Sequence, residues 1–196
     1  LPPHDQGDGT DYQGVNEMQY YMFVPRDMMY FTWAWYYAGM PDEGRKVVDQ
    51  YKRYQLENGS FYIDQENICS YAILMWYQKT KDLEYLKEMW PVLMKNYTYT
   101  TNIIANDPLK LMPAMGPYDN EGITGHYTAH NFYNAKAFEM MASCAKELGQ
   151  EEESKKYRAY ADNFISNMMY HVNVAIATNG FIPPGIDTGK SGAHSG

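Results

Sequence analysis

The polar residues able to do acid–base chemistry fall into three groups along the chain. Arg26 and Asp27 precede an aromatic run. Asp64, Gln65 and Glu66 precede a second apolar run, and Asp119, Glu121, His126, Tyr127 and His130 surround the start of a third. Carboxylates combined with an arginine and aromatic rings suit a polyhydroxylated ligand. An Arg–carboxylate pair donates to and accepts from adjacent hydroxyls, and a ring can stack on the apolar face of a sugar. Two carboxyl groups held in different protonation states can serve as general acid and general base. Each residue alone also has a plainer reading: Asp27 and Asp64 suit helix N-caps, and His130 suits a hydrogen-bonded core histidine. The three groups stand out together because they recur at equivalent places in a repeated pattern.

That pattern is helical. Residues 1–24 are rich in Gly, Asp and Pro and read as a loop segment. The stretch 26–40 is apolar on all sides beyond its first turn, which predicts a helix with no solvent face. Gly39 stops it and Pro41 opens the next helix, which runs over 41–57 with Val47, Val48, Tyr51 and Tyr54 on one face. After a turn at Asn58-Gly59-Ser60, residues 66–79 are again apolar nearly all round. Residues 82–102 carry Leu83, Leu86, Trp90, Leu93 and Tyr97 in a one-sided stripe, with Pro91 predicting a kink or break. A Pro- and Gly-rich loop follows. Then come a third buried helix over 128–148 and a third amphipathic one over 151–171, with Tyr157, Ala161, Phe164 and Met168 inward.

The chain therefore divides into a loop segment (1–24), three helical hairpins (25–177) and a Gly/Pro-rich tail without regular elements (178–196). The joints within the hairpins look alike, each placing acidic residues on the first turn of the outer helix, where the helix dipole favours them. Such a repeat means stacked helix pairs in a solenoid or toroid. Inner helices with no polar face need cover on both sides, which favours a closed double ring over an open array. The fold class is all-α. In such a ring the inner helices share one direction, so the three polar groups open onto one face.

Composition sets the outer bounds. The 196 residues are 45% apolar and 20% charged, enough for about one domain with a sizeable core. Acidic residues outnumber basic ones 24 to 16, for a net charge of -8. That balance excludes general nucleic-acid binding and attraction to anionic membranes. The longest apolar stretch, near 71–77, falls well short of the roughly 18 residues of a membrane span. With 20 Tyr, 14 Met, 4 Trp and 7 Phe, most rings line helix interfaces, and the excess is compatible with carbohydrate binding. Cys69 and Cys144 read as buried free thiols, with one disulfide between them as the alternative. No Cys/His cluster has metal-ligand spacing, and no cofactor is expected. Two short sequons, at Asn58 and Asn96, are of the kind that arises by chance. The chain opens on Leu1 without a signal segment, as a processed or cut start would; composition leaves the compartment open, with a secreted or periplasmic setting favoured.

Several segments resemble one known superfamily, the six-hairpin toroid glycosidases of the glucoamylase-like clan, which also includes trehalase-, rhamnosidase- and glucosidase-type enzymes. Val24-Pro25-Arg26-Asp27 before an aromatic helix resembles the clan's Trp-x-Arg-Asp segment. Asn58-Gly59-Ser60-Phe61 with Ile63-Asp64-Gln65 resembles the stretch between its second and third helices, with the Gln and Asp order exchanged. Lys79-Thr80-Lys81-Asp82 with Trp90-Pro91 is similar to one of its joints. Asp119 to Thr128 resembles the glucoamylase segment whose first Glu is the general acid, although no Trp precedes Glu121 and Gly122 replaces the second Glu.

The resemblance implies an (α/α)6 toroid, of which this chain carries about three of six hairpins, and a glycosidase acting on O-glycosidic bonds. It places the general acid on Glu121, with Asp119 as the rival, since some relatives use Asp. Arg26, Asp27, Asp64, Gln65, His126, Tyr127 and His130 become substrate-binding candidates. An inverting glycosidase needs a protonated carboxyl and an ionised one roughly 6.5–9.5 Å apart. The resemblance puts the ionised partner in the second half of the toroid, which the same larger protein or another chain would supply. A non-catalytic sugar-binding toroid, or another toroid enzyme such as an epimerase, lyase or phosphorylase, is the alternative. An epimerase would draw its acid and base from histidines such as His126 and His130.

Overall fold

Apolar periodicity becomes helix throughout the computed structural model, which describes residues 25–61, 68–114 and 124–189, residues 25–28 by their backbone alone. Seven helices form over those residues: α1 (Pro25–Tyr37), α2 (Pro41–Val48), α3 (Gln50–Tyr54), α4 (Ile68–Thr80), α5 (Leu83–Asn106), α6 (Thr128–Glu147) and α7 (Glu151–Asn179). Among the described residues no strand forms, only two isolated antiparallel bridges, Gln55 with Phe61 and Tyr127 with Gly185. The described residues are all-α, and α1, α4 and α6 lie close to the spans expected for the three buried helices. Among the described residues no helix is long and apolar enough to cross a membrane.

The three joints share one device. Each of α1, α4 and α6 is followed by a residue with left-handed backbone: Gly39 (φ 76°), Lys81 (φ 57°) and Gly149 (φ 76°). At the two glycine joints the amides close the helix end in the same way. Gly39 donates to the Tyr36 carbonyl and Met40 to Trp35, while Gly149 donates to Lys146 and Gln150 to Ala145. These are Schellman ends, which satisfy carbonyls that the helix leaves open. The next helix then opens on acidic residues: Asp42 and Glu43, Glu84, or Glu151 to Glu153. Asp82 caps α5 by accepting the Tyr85 amide at 2.9 Å.

The chain forms two units, one ending at Tyr97 and the other beginning at Thr98, within α5. In the first unit, α4 is the covered element, with Ile68, Cys69, Ala72, Ile73, Leu74, Trp76 and Tyr77 all buried. It packs on α1 through ring contacts of Trp33 with Tyr71 and of Tyr36 with Trp76, and through the Tyr36 hydroxyl donating to the Lys79 carbonyl. The partners advance together along both helices, so α1 and α4 run side by side in one direction. The outer helices follow suit. Arg45 of α2 pairs with Asp49, reaches Glu88 of α5 at 2.8 Å and lies over the Tyr85 ring, and Gln55 donates to the Val92 carbonyl. Between α4 and α5 the buried Asn96 side chain accepts from the Ser70 hydroxyl at 2.7 Å and donates to the Gly59 carbonyl at 2.9 Å.

In the second unit α6 and α7 form an antiparallel pair. Phe138 meets Tyr160 and Phe164 edge-on, and the Ser154 hydroxyl donates to the Ala142 carbonyl. Tyr157, Ala161, Phe164, Met168, Val172 and Ala175 line the buried side of α7. Large apolar side chains buried this way each stabilise the fold by about 1.5–3 kcal/mol. Both cysteines are buried free thiols.

Four expectations need correction. First, α1 is not covered on both sides: Met29 and Thr32 are buried, but Tyr30, Phe31 and Tyr37 are exposed. Tyrosine tolerates such a surface because its ring carries a polar tip, and the Tyr37 hydroxyl accepts from the Lys79 ammonium. Second, of the kink or break expected at Pro91, the break does not occur: α5 runs on through it. Pro91 lies on the exposed face, where the Lys87 carbonyl deprived of its amide partner can turn to water. Leu83, placed in the apolar stripe of that helix, is exposed as well. Third, α7 runs two turns beyond residue 171, to Gly180 in a left-handed cap. Fourth, the segment after α7 is not a featureless tail: Pro183, Gly185 and Ile186 are buried.

Candidate functional site

The described part of the site is the N-terminal end of α6 and the two segments that cross it. No side chain caps this helix. The segment after α7 does so instead: the Thr128 amide donates to the Pro184 carbonyl at 2.8 Å, and the Thr128 hydroxyl donates to that of Pro183. Returning along the same crossing, the Ile186 amide donates to the His126 carbonyl at 2.9 Å. The crossing is tight enough to demand glycine. Gly125 has φ +85°, and a Cβ there would stand 2.3 Å from an Asp187 carboxylate oxygen. A Cβ on Gly185 would stand 2.5 Å from the Thr124 carbonyl.

His126 sits in the middle of this crossing, with only 6% of its surface exposed. Its Nδ1 is 2.7 Å from Asp187 Oδ2, and its Nε2 is 3.0 Å from Asp107 Oδ2. The His126 amide donates to the second Asp187 oxygen at 2.8 Å. Asp107, also buried, accepts the amides of Leu109 and Leu111 on its other oxygen. Burial pushes the Asp187 carboxyl upward, but the amide and ring of His126 outweigh it and hold that carboxyl below its ordinary range.

Tyr127 and His130 are buried beside this cluster, their ring centroids 4.8 Å apart. Asn131, fully buried, accepts the Met112 amide and donates to the Tyr127 carbonyl. The turn after α5 is thereby fastened to the same helix end. Among the described residues no His, Cys, Asp and Glu group is arranged to hold a metal ion. The Asp107 and Asp187 carboxylates face opposite ring nitrogens of His126 and do not converge on one point.

Of the residues expected to carry chemistry, His126, Tyr127 and His130 come together here. Arg26 and Asp27 fall in the first turn of α1, their side chains outside the described residues. Asp64, Gln65, Asp119 and Glu121 lie outside the described residues altogether. Asp107 and Asp187 were not anticipated. Asp107 precedes a proline and looks like a turn residue, and Asp187 follows the glycine- and proline-rich stretch, so no local signal pairs either with His126.

Comparison of the chain with family models, with curated proteins and with solved structures gives no match.

Proposed function

We propose that this chain supplies the N-terminal half of an (α/α)6 catalytic domain that hydrolyses O-glycosidic bonds by an inverting general acid/general base mechanism. The observation that carries the reading is the hairpin repeat. An apolar helix, a left-handed joint and a second helix opening on acidic residues occur three times over, and α1 and α4 run in parallel. In a closed ring of such pairs, the starts of the inner helices would gather the three polar groups on one face.

In this proposal Glu121 is the general acid, and Asp119 is the neighbour whose charge helps keep it protonated. Arg26, Asp27, Asp64 and Gln65 hold substrate hydroxyls, with Tyr127 and His130 nearby. The base comes from the second half of the toroid, in the same larger protein or a partner chain. An epimerase using His126 as acid or base is disfavoured, because both ring nitrogens already face carboxylates.

The test is Glu121→Gln in the complete enzyme, assayed on two classes of glycoside. Loss of the transferable proton should cut turnover strongly for poor leaving groups and far less for glycosyl fluorides or activated aryl glycosides. Asp119→Asn should cost less and should shift the alkaline limb of the pH profile downward. Reversal of the two phenotypes would make Asp119 the acid. If neither variant shows a leaving-group-dependent defect, the glycosidase reading fails and a non-catalytic sugar-binding toroid takes its place.

A further inference from the structure

Three segments far apart in sequence meet at His126: the turn after α5 through Asp107, the approach to α6 through His126 itself, and the segment after α7 through Asp187. Hydrogen-bond bookkeeping restricts what this meeting can be. A neutral imidazole has one N–H and one lone pair. Set between two carboxylates at 2.7 and 3.0 Å, it could donate to only one, and its lone pair would oppose the other. With both ring protons present, each contact becomes a charge-assisted hydrogen bond, the strong kind. Every polar atom is then used, since the remaining carboxylate oxygens accept the amides of His126, Leu109 and Leu111.

We propose that Asp107, His126 and Asp187 form a proton-requiring latch, in which a charged imidazolium fastens both the segment 183–189 and the turn after α5 to the start of α6. His126 is then a positioning residue and not a ligand contact. The latch stands on its own geometry and does not depend on the glycosidase reading.

The surroundings agree with this assignment. Among the described residues, the charged groups facing the ring are Asp107 from the turn after α5 and Asp187 from the segment after α7. On α6 itself, His130 lies one turn on, against the Tyr127 ring. Lys110, on the same turn as Asp107, directs its ammonium to the Ala105 carbonyl. Two limits to the latch follow. Acid removes it by protonating Asp187, whose carboxyl the contacts with His126 hold below its ordinary range. A ring without its second proton leaves a lone pair against a carboxylate, so loss of that proton opens the latch.

The experiment is amide hydrogen exchange on the full chain across pH, expressed as protection relative to intrinsic rates, at Thr128 and Ile186, whose amides make the crossing bonds. Protection should be bell-shaped in pH and fall by about tenfold or more on each side, the size of losing one charge-assisted hydrogen bond. Asp107→Asn should abolish the alkaline limb while keeping the acid one, because an amide can either accept from a ring N–H or donate to a bare ring nitrogen. Ring-nitrogen NMR of His126, assigned by its disappearance in His126→Gln, gives a second readout that does not depend on the Asp107 variant folding. Both nitrogens should read as protonated at neutral pH. Flat protection in the parent chain, an alkaline limb that survives Asp107→Asn, or one unprotonated ring nitrogen at neutral pH would each overturn the latch.

Discussion

Gly44 offers the sharpest test of how the first hairpin meets its neighbour. It is a helical, buried position in α2. A Cβ built there would lie 2.7 Å from the outer rim of the Trp76 indole and 3.1 Å from the Thr32 carbonyl. Carbon atoms in contact settle at about 3.5–4.0 Å, so the overlap with Trp76 is nearly a full ångström. The indole cannot easily retreat. It is 2% exposed and stands edge-on to Tyr36 at 5.9 Å. Two effects then compete in Gly44→Ala. Helix propensity favours alanine by about 1 kcal/mol, and overpacking a rigid core costs about 1–3 kcal/mol. With backbone on one side and a bicyclic ring on the other, the cost belongs in the upper part of that range, leaving a net destabilisation of about 1–2 kcal/mol. At a urea slope of about 2 kcal/mol/M, the unfolding midpoint should fall by about 0.5–1 M with the slope unchanged. Trp76→Phe removes the ring that collides, so in that background Gly44→Ala should become neutral or stabilising. A double-mutant cycle showing the same cost in both backgrounds, or a stabilised single variant, would refute this account of the contact.

Other consequences can be checked as directly. Asn96→Leu should destabilise by about 2–4 kcal/mol in urea unfolding, because it strips partners from the Ser70 hydroxyl and the Gly59 carbonyl in a buried site. Burial raises the Tyr160 hydroxyl to about 12. Its contribution to stability should therefore be complete below pH 10 and decline as pH rises through 12, and Tyr160→Phe should delete one late-ionising component of the ultraviolet tyrosinate titration. On the proposed glycosidase reading, Asp27→Asn in the complete protein should raise KM and lower kcat on every active substrate, since an acceptor for substrate hydroxyls that tightens in the transition state would be lost; unchanged kinetics would remove Asp27 from the proposed site.

The hairpins were legible because they rest on local physics. A stripe at steps of three and four placed Tyr157, Ala161, Phe164 and Met168 on the buried side of α7, and they are buried there. The same stripe continues through Val172 and Ala175 to Gly180, so the full length of α7 was also available to a reading that followed it further. What covers a helix is a different matter. An all-round apolar stretch says only that the helix tolerates cover. Thus α4 is enclosed while α1 leaves Tyr30 and Tyr37 in solvent, and nothing in the α1 run distinguishes the two. At the site, His126, Tyr127 and His130 were visible as polar residues at a helix start. Their surroundings were not, because Asp107 and Asp187 are brought in by tertiary contacts spanning 19 and 61 residues. Contacts of that range leave no periodicity to read.

The crossing at the start of α6 also bears on the order in which the second unit folds. Helix pairs joined by short turns bring neighbouring residues together and need little chain closure, so α6 and α7 can dock early. The contact between His126 and Asp187 closes a loop of 61 residues. Its entropic cost grows only logarithmically with length, and it falls further once both helices are already antiparallel and the loop ends are near each other. The return segment would therefore settle last, on a hairpin already formed, and would stop the far end of α7 from fraying away from α6. A chain truncated just after Asn179 should keep the helix pair and fold at nearly the same rate, but unfold faster.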